Sequence, residues 1–90
     1  MTIDDWRDRI DAVDEQILQL LNERMQYCLE IGRLKLEGNM EIYVPDREQQ
    51  IHEKLRRCNA GPFSNEAVSR IFERIIAETR QQVIASVSEA

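Results

Sequence analysis

Glycine and proline are scarce in this 90-residue chain, at three and two residues respectively. That scarcity excludes glycine-rich phosphate loops, collagen-like repeats and proline-rich linkers. Cysteine and histidine are also rare: Cys28, Cys58 and His52 stand far apart, with no CxxC pair and no histidine cluster. Metal sites need ligands at short fixed spacings, so no metal is expected and the two thiols read as reduced cysteines of a cytoplasmic protein. No apolar run approaches the roughly 20 residues needed to span a bilayer. The amino-terminal stretch MTIDDWRDRIDA is acidic and has no apolar segment before a small-residue cleavage site, so no secretory signal is read there. Lys and Arg number 12 against 17 Asp and Glu, a net charge of -5. A polyanion would be repelled by that balance, which argues against nucleic acid and anionic membrane as partners. Residues 1–90 contain no internal repeat or low-complexity segment, and they read as one domain.

What the chain does contain is helical periodicity. Trp6, Ile10, Val13, Ile17, Leu20, Leu21, Cys28 and Ile31 recur at steps of three and four, the stripe of one amphipathic helix from Trp6 to about Lys35. Asp4 or Asp5 is expected to cap its start, and Gly38 to close it in the left-handed conformation. Within it, Gly32 costs about 1 kcal/mol relative to Ala, which suggests either close approach by another backbone or a ligand, or a glycine that the helix simply tolerates. After the aperiodic linker NMEIYVP, Asp46 with Gln49 reads as a capping box opening a second helix from about Arg47 to Cys58. Gly61 and Pro62 then break the chain. Ser64 is the expected cap of a third helix, with Phe63 stapled onto Val68 and a stripe of Val68, Ile71, Phe72, Ile75, Ile76, Thr79, Val83 and Val87. The closing SVSEA is expected to fray.

The resulting fold class is all-α, with one long and two shorter helices. Thirty helical residues span about 45 Å, whereas a compact globule of this size has a radius of gyration near 12 Å. The first helix therefore overhangs its own domain. A second copy covering the stripe, in an intertwined homodimer that forms a six-helix bundle, is the expected arrangement.

Two cations interrupt the stripe. Arg24 follows Leu20 by one turn and Lys35 follows Ile31 by one turn, so both side chains point where the periodicity calls for hydrophobes. They are separated by about 16 Å along the axis, close enough for long side chains to converge on one small anion. A Lys or Arg at the edge of a stripe can also extend its head into water, and for Arg47, Glu48 and Thr79 plain readings exist: a solvated charge, a carboxylate at a helix start, and a hydroxyl bonded back to the preceding turn. The chain offers no nucleophile paired with a base. Its inventory suits a reaction that needs only binding, orientation and electrostatic stabilisation.

The long helix resembles the first helix of the all-helical chorismate mutases. The pieces are Arg7, Ile10, Asp11, Val13 and Asp14; then Leu20, Leu21 and Arg24; then Ile31, Gly32 and Lys35. The likeness continues through Arg47 and Glu48 into the last helix and implies an isomerase that rearranges chorismate to prephenate without a cofactor. By the resemblance, Arg24 and Arg47 grip the carboxylates of the substrate and Arg7 reaches into the neighbouring subunit's site. Lys35 donates to the ether oxygen, and Glu48 accepts from the ring hydroxyl. Thr79 stands where the family often has a serine that helps to hold the ligand. Two positions depart from the pattern. Val44 replaces an aspartate found in some members, a contact that the backbone N–H can make. Val83 replaces the usual Gln or Glu that donates to the ether oxygen, and Gln82 lies about 100° away round the helix. Two alternatives accompany this reading: a non-catalytic dimerisation or regulatory module of a larger shikimate-pathway protein, and an isochorismate pyruvate-lyase.

Overall fold

A computed structural model describes residues 1–88. The chain forms three helices, α1 (Ile3–Glu37), α2 (Pro45–Cys58) and α3 (Asn65–Ser88), joined by two short connections. No described residue lies in a strand. None of these helices is long and apolar enough to cross a membrane.

Each helix starts and stops for a local reason, and three of these differ from the sequence expectation. Thr2, not Asp4 or Asp5, caps α1. The Thr2 hydroxyl accepts from the Asp5 N–H at 3.1 Å, and the Asp5 carboxylate accepts from the Thr2 N–H at 2.7 Å. This reciprocal pair satisfies two orphan donors where a lone aspartate cap would satisfy one, so the helix begins earlier. At the other end Gly38 has φ -86° and its N–H still bonds the Leu34 carbonyl at 3.0 Å, so it continues the turn. The reversal falls instead on Asn39, at φ 54°, because asparagine tolerates the left-handed region better than other side-chain-bearing residues. The Asp46–Gln49 capping box does not form. Val44 is the cap residue of α2 without a side-chain bond, and Pro45 occupies the first turn. Proline has a preset φ and no N–H to satisfy, so α2 opens ahead of Asp46.

The start of α3 agrees with expectation: the Ser64 hydroxyl accepts from the Ala67 N–H at 3.1 Å. Phe63, expected to pack on Val68, keeps 62% of its surface exposed. Residues 86–88 of the tail expected to fray are helical, and its last two residues lie outside those described.

Helix α3 packs against both α1 and α2, which do not pack against each other. At Gly32 the α1–α3 contact is too close for a side chain. A Cβ built there would lie 2.6 Å from Cγ1 of Val83, so the approach expected at this glycine is made by a side chain of α3. Around this contact the core is small. Ile76 and Val83 are the only buried hydrophobic side chains among the described residues. The α1 stripe, by contrast, is open: Trp6, Ile10, Val13, Ile17, Leu20 and Ile31 are all exposed. The radius of gyration is 16.2 Å and the long dimension 54 Å, well above the value of about 12 Å for a compact chain of this length.

A double-mutant cycle tests the α1–α3 contact. Val83 is β-branched and has one strongly preferred rotamer in a helix, so it cannot easily turn away from an added methyl group. Gly32→Ala should destabilise the protein by about 1–3 kcal/mol of overpacking, partly offset by helix propensity. In a Val83→Ala background the same change should stabilise by up to about 1 kcal/mol. Urea unfolding at fixed protein concentration reads both.

Candidate active site

Where α1, α3, the α1–α2 connection and the first turns of α2 meet, they enclose a cavity of about 170 Å³. Its lining includes Arg24 and Lys35 from α1, Val44 from the connection, Arg47 and Glu48 from α2, and Thr79 and Val83 from α3. Seven of the eight residues singled out in the sequence thus come together. The eighth, Arg7, does not. It lies about 26 Å from Arg24 and about 42 Å from Lys35 along the α1 axis, exposed, with its guanidinium 3.6 Å from the Asp4 carboxylate.

The cations in the cavity are held mainly by neutral groups. Arg24 Nη1 donates to the Thr79 hydroxyl oxygen at 3.3 Å. That hydroxyl spends its own proton on the Ile75 carbonyl, 2.6 Å away and one turn back. Its lone pairs are thereby left to face Arg24, so Thr79 both satisfies its helix and anchors the guanidinium. Lys35 Nζ donates to the Ile42 carbonyl at 3.3 Å, tying the α1–α2 connection across the cavity. Arg47 is exposed. Among the described residues, Arg24, Lys35 and Arg47 take part in no ion pair. In a chain where acids outnumber bases, three such cations around one small space concentrate positive charge of the kind that an anionic ligand would neutralise.

Val83 is buried with its side chain against the cavity, whereas Gln82 is exposed and takes no part in the lining. The register of α3 is therefore the one inferred from the sequence.

The sequence reading missed Arg80. Its Nη2 donates to both carboxylate oxygens of Glu48, at 2.8 and 2.7 Å, and its guanidinium lies 4.4 Å from the centre of the Tyr43 ring. It also lines the cavity. A signal was available, because Ile76, Arg80, Val83 and Val87 recur at steps of four, three and four, the test that singled out Arg24.

The sequence pattern described as chorismate mutase type II matches residues 6–83. The chain belongs to this family. Its fold is similar to that of a chorismate mutase (form II) from Thermus thermophilus, with a TM-score of 0.88 at 34% identity, covering 90% of this chain and 92% of that one. A chorismate mutase from Helicobacter pylori, solved in complex with prephenate, superposes with a TM-score of 0.90 at 25% identity over 98% of this chain and 96% of that one. Among curated relatives, a bifunctional chorismate mutase/prephenate dehydratase from Aquifex aeolicus (strain VF5) is 44% identical over 75 residues, which are 79% of this chain and 21% of that protein. A second bifunctional protein of the same description, from Neisseria gonorrhoeae (strain ATCC 700825 / FA 1090), is 40% identical over 72 residues, 80% of this chain and 19% of that protein. The chain thus spans about a fifth of the length of the curated relatives it matches.

A non-catalytic readout tests the charge logic of this cavity. At matched ionic strength malonate should raise Tm more than acetate does, since a dianion can meet two cations at once, and a ligand at 100 times its Kd adds about 2.7 kcal/mol. Arg24→Ala should remove the difference, as read by differential scanning calorimetry.

Proposed function

We propose that this chain isomerises chorismate to prephenate, as a homodimer. The observation that carries the reading is the set of three cations, Arg24, Lys35 and Arg47, that line one cavity without an ion-pair partner among the described residues. The reaction is an intramolecular pericyclic step. The ether bond between oxygen and ring carbon breaks, a carbon–carbon bond forms between the side chain and the ring, and the oxygen becomes a ketone oxygen. No proton, electron or co-reactant enters or leaves, so the protein has only to select the compact reactive conformer and stabilise the charge that builds on the ether oxygen.

The roles are those that the family resemblance implies, and the positions of the side chains around the cavity support them. Arg24, steadied by Thr79, and Arg47 take the two carboxylates, for which a planar guanidinium fork is the best match. Lys35 donates to the ether oxygen; its bond to the neutral Ile42 carbonyl leaves two more N–H groups to offer. Glu48, fixed by Arg80, accepts from the ring hydroxyl. Val44 contributes its backbone N–H, and Val83 closes the cavity with a side chain that cannot donate.

Arg7 enters through assembly. Its distance from its own chain's cavity leaves a partner's cavity as the place where it can act, and the open stripe of α1 around it is the surface that a second copy would cover.

Two measurements separate these roles. If Lys35 acts on charge present only in the transition state, Lys35→Ala should lower kcat by about 10²-fold or more while the helical circular dichroism persists. Mixing tests the trans role of Arg7. Arg7→Ala and Lys35→Ala homodimers should each be nearly inactive. Unfolded together and refolded as an equal mixture, they should regain about a quarter of wild-type activity, because half of the dimers are hybrids and each hybrid rebuilds one of its two sites. No regain would exclude a role for Arg7 in the partner's site.

A further inference from the structure

We propose that Arg80 is a substrate-facing donor of this site, and that its fixed guanidinium shares with Lys35 the stabilisation of charge on the ether oxygen; this deepens the proposed chorismate mutase reading and rests on it. Arg80 belongs to the cavity wall, half-buried, on the same line of α3 as Val83. It is restrained from two sides: Nη2 bonds both oxygens of Glu48, and the guanidinium carbon lies over the Tyr43 ring, 4.4 Å from its centre. A guanidinium carries five N–H donors. Those on Nη1 and Nε bond no other group among the described residues.

Three features make these donors suited to a transition state rather than to holding the fold. Arg24 is anchored by Thr79, and Arg24 and Arg47 are taken up by carboxylates in the proposed complex, so that of the cations lining the cavity from its own chain Lys35 and Arg80 remain as donors for the oxygen where charge develops. The cation–π contact with Tyr43 and the bond to Glu48 hold Arg80 in place before substrate arrives, so that little reorganisation is needed during the reaction, which is the condition for a large electrostatic contribution. The residue one turn further along the same face is Val83, whose hydrocarbon side chain leaves that stretch of wall without another donor. Arg80 donates hydrogen bonds throughout and exchanges no proton.

Steady-state kinetics on chorismate with the intact protein test the assignment. Arg80→Met keeps an apolar stem against Tyr43 and removes every donor; kcat should fall by about 10²-fold, with a smaller change in KM. Val83→Gln places a neutral donor one turn away. It should raise kcat of the Arg80→Met protein by about 10-fold or more, a larger factor than it gives in the unsubstituted chain. Gln82→Ala, at an exposed position outside the site, should leave both backgrounds unchanged. If Arg80→Met fails to fold, Arg80→Lys replaces it. That variant keeps the charge beside Glu48 but lacks the fork, and should lower kcat without lowering Tm. Retention of kcat within about 3-fold would overturn the assignment, as would equal gains from Val83→Gln in both backgrounds, which would mean that Arg80 acts only by orienting Glu48. An unsubstituted chain inert on chorismate would overturn the parent reading together with this one; an active chain insensitive to Arg80 overturns this one alone.

Discussion

A cation placed where a helix should present a hydrophobe, and given no carboxylate to pair with, is the constraint on which this structure turns. Arg24 and Lys35 both obey it, and their protein contacts are confined to neutral groups: a threonine hydroxyl, a weak cysteine contact and a backbone carbonyl. A hydroxyl or carbonyl dipole satisfies geometry without cancelling charge. Repulsion among like charges around one small cavity favours an anionic ligand there, and the other features of the site are arranged around those cations. Thr79 bonds back to Ile75 and so turns its lone pairs to Arg24. Gly32 removes a side chain so that α3 can lie close to α1, and Val83 fills the space that results. Glu48 is the one carboxylate in the lining, and Arg80 engages it instead of leaving it to neutralise the other three cations.

The same economy shapes the fold. With Ile76 and Val83 as its only buried hydrophobic side chains, a single described chain has too little core to account for a stable domain, and its longest helix carries its apolar residues into the open. The helix that positions Arg24 and Lys35 at one end carries Arg7 at the other, too far away to serve the same cavity. In the proposed dimer both problems have one solution, since a partner that covers the stripe also brings its own Arg7 to the cavity it covers.

Much of this was legible in the chain itself, and the reasons are specific. A 3.6-residue repeat marks a helix face, so Arg24 and Lys35 stood out as exceptions to it, and the three helices followed from the stripes and the breaks at Pro45 and Pro62. Arg47 and Glu48 were not legible in that way. At the start of a helix an acidic residue already has a sufficient explanation in the helix dipole, and only the resemblance to the chorismate mutases drew them into the site. Arg80 was overlooked because the α3 stripe was followed through Thr79, whose polar side chain already accounted for an interruption. The caps were misplaced where two local solutions competed. Thr2 with Asp5 satisfies more backbone donors than Asp4 or Asp5 alone, proline at the start of α2 takes precedence over the Asp46–Gln49 pattern, and Asn39 takes the left-handed turn that Gly38 would ordinarily provide.

The central claim is that a cavity of unneutralised cations, without nucleophile or proton relay, performs an isomerisation through positioning and electrostatics alone. The most direct measurement is to incubate the purified chain with chorismate and, separately, with isochorismate, and to identify the products by NMR. The account predicts prephenate from chorismate with no other product, and no solvent hydrogen introduced by the reaction into the methylene group that forms the new carbon–carbon bond. Pyruvate released from isochorismate with chorismate left intact would make the chain a lyase, and recovery of both compounds unchanged, with tight binding, would make it a sensor; either result contradicts the account.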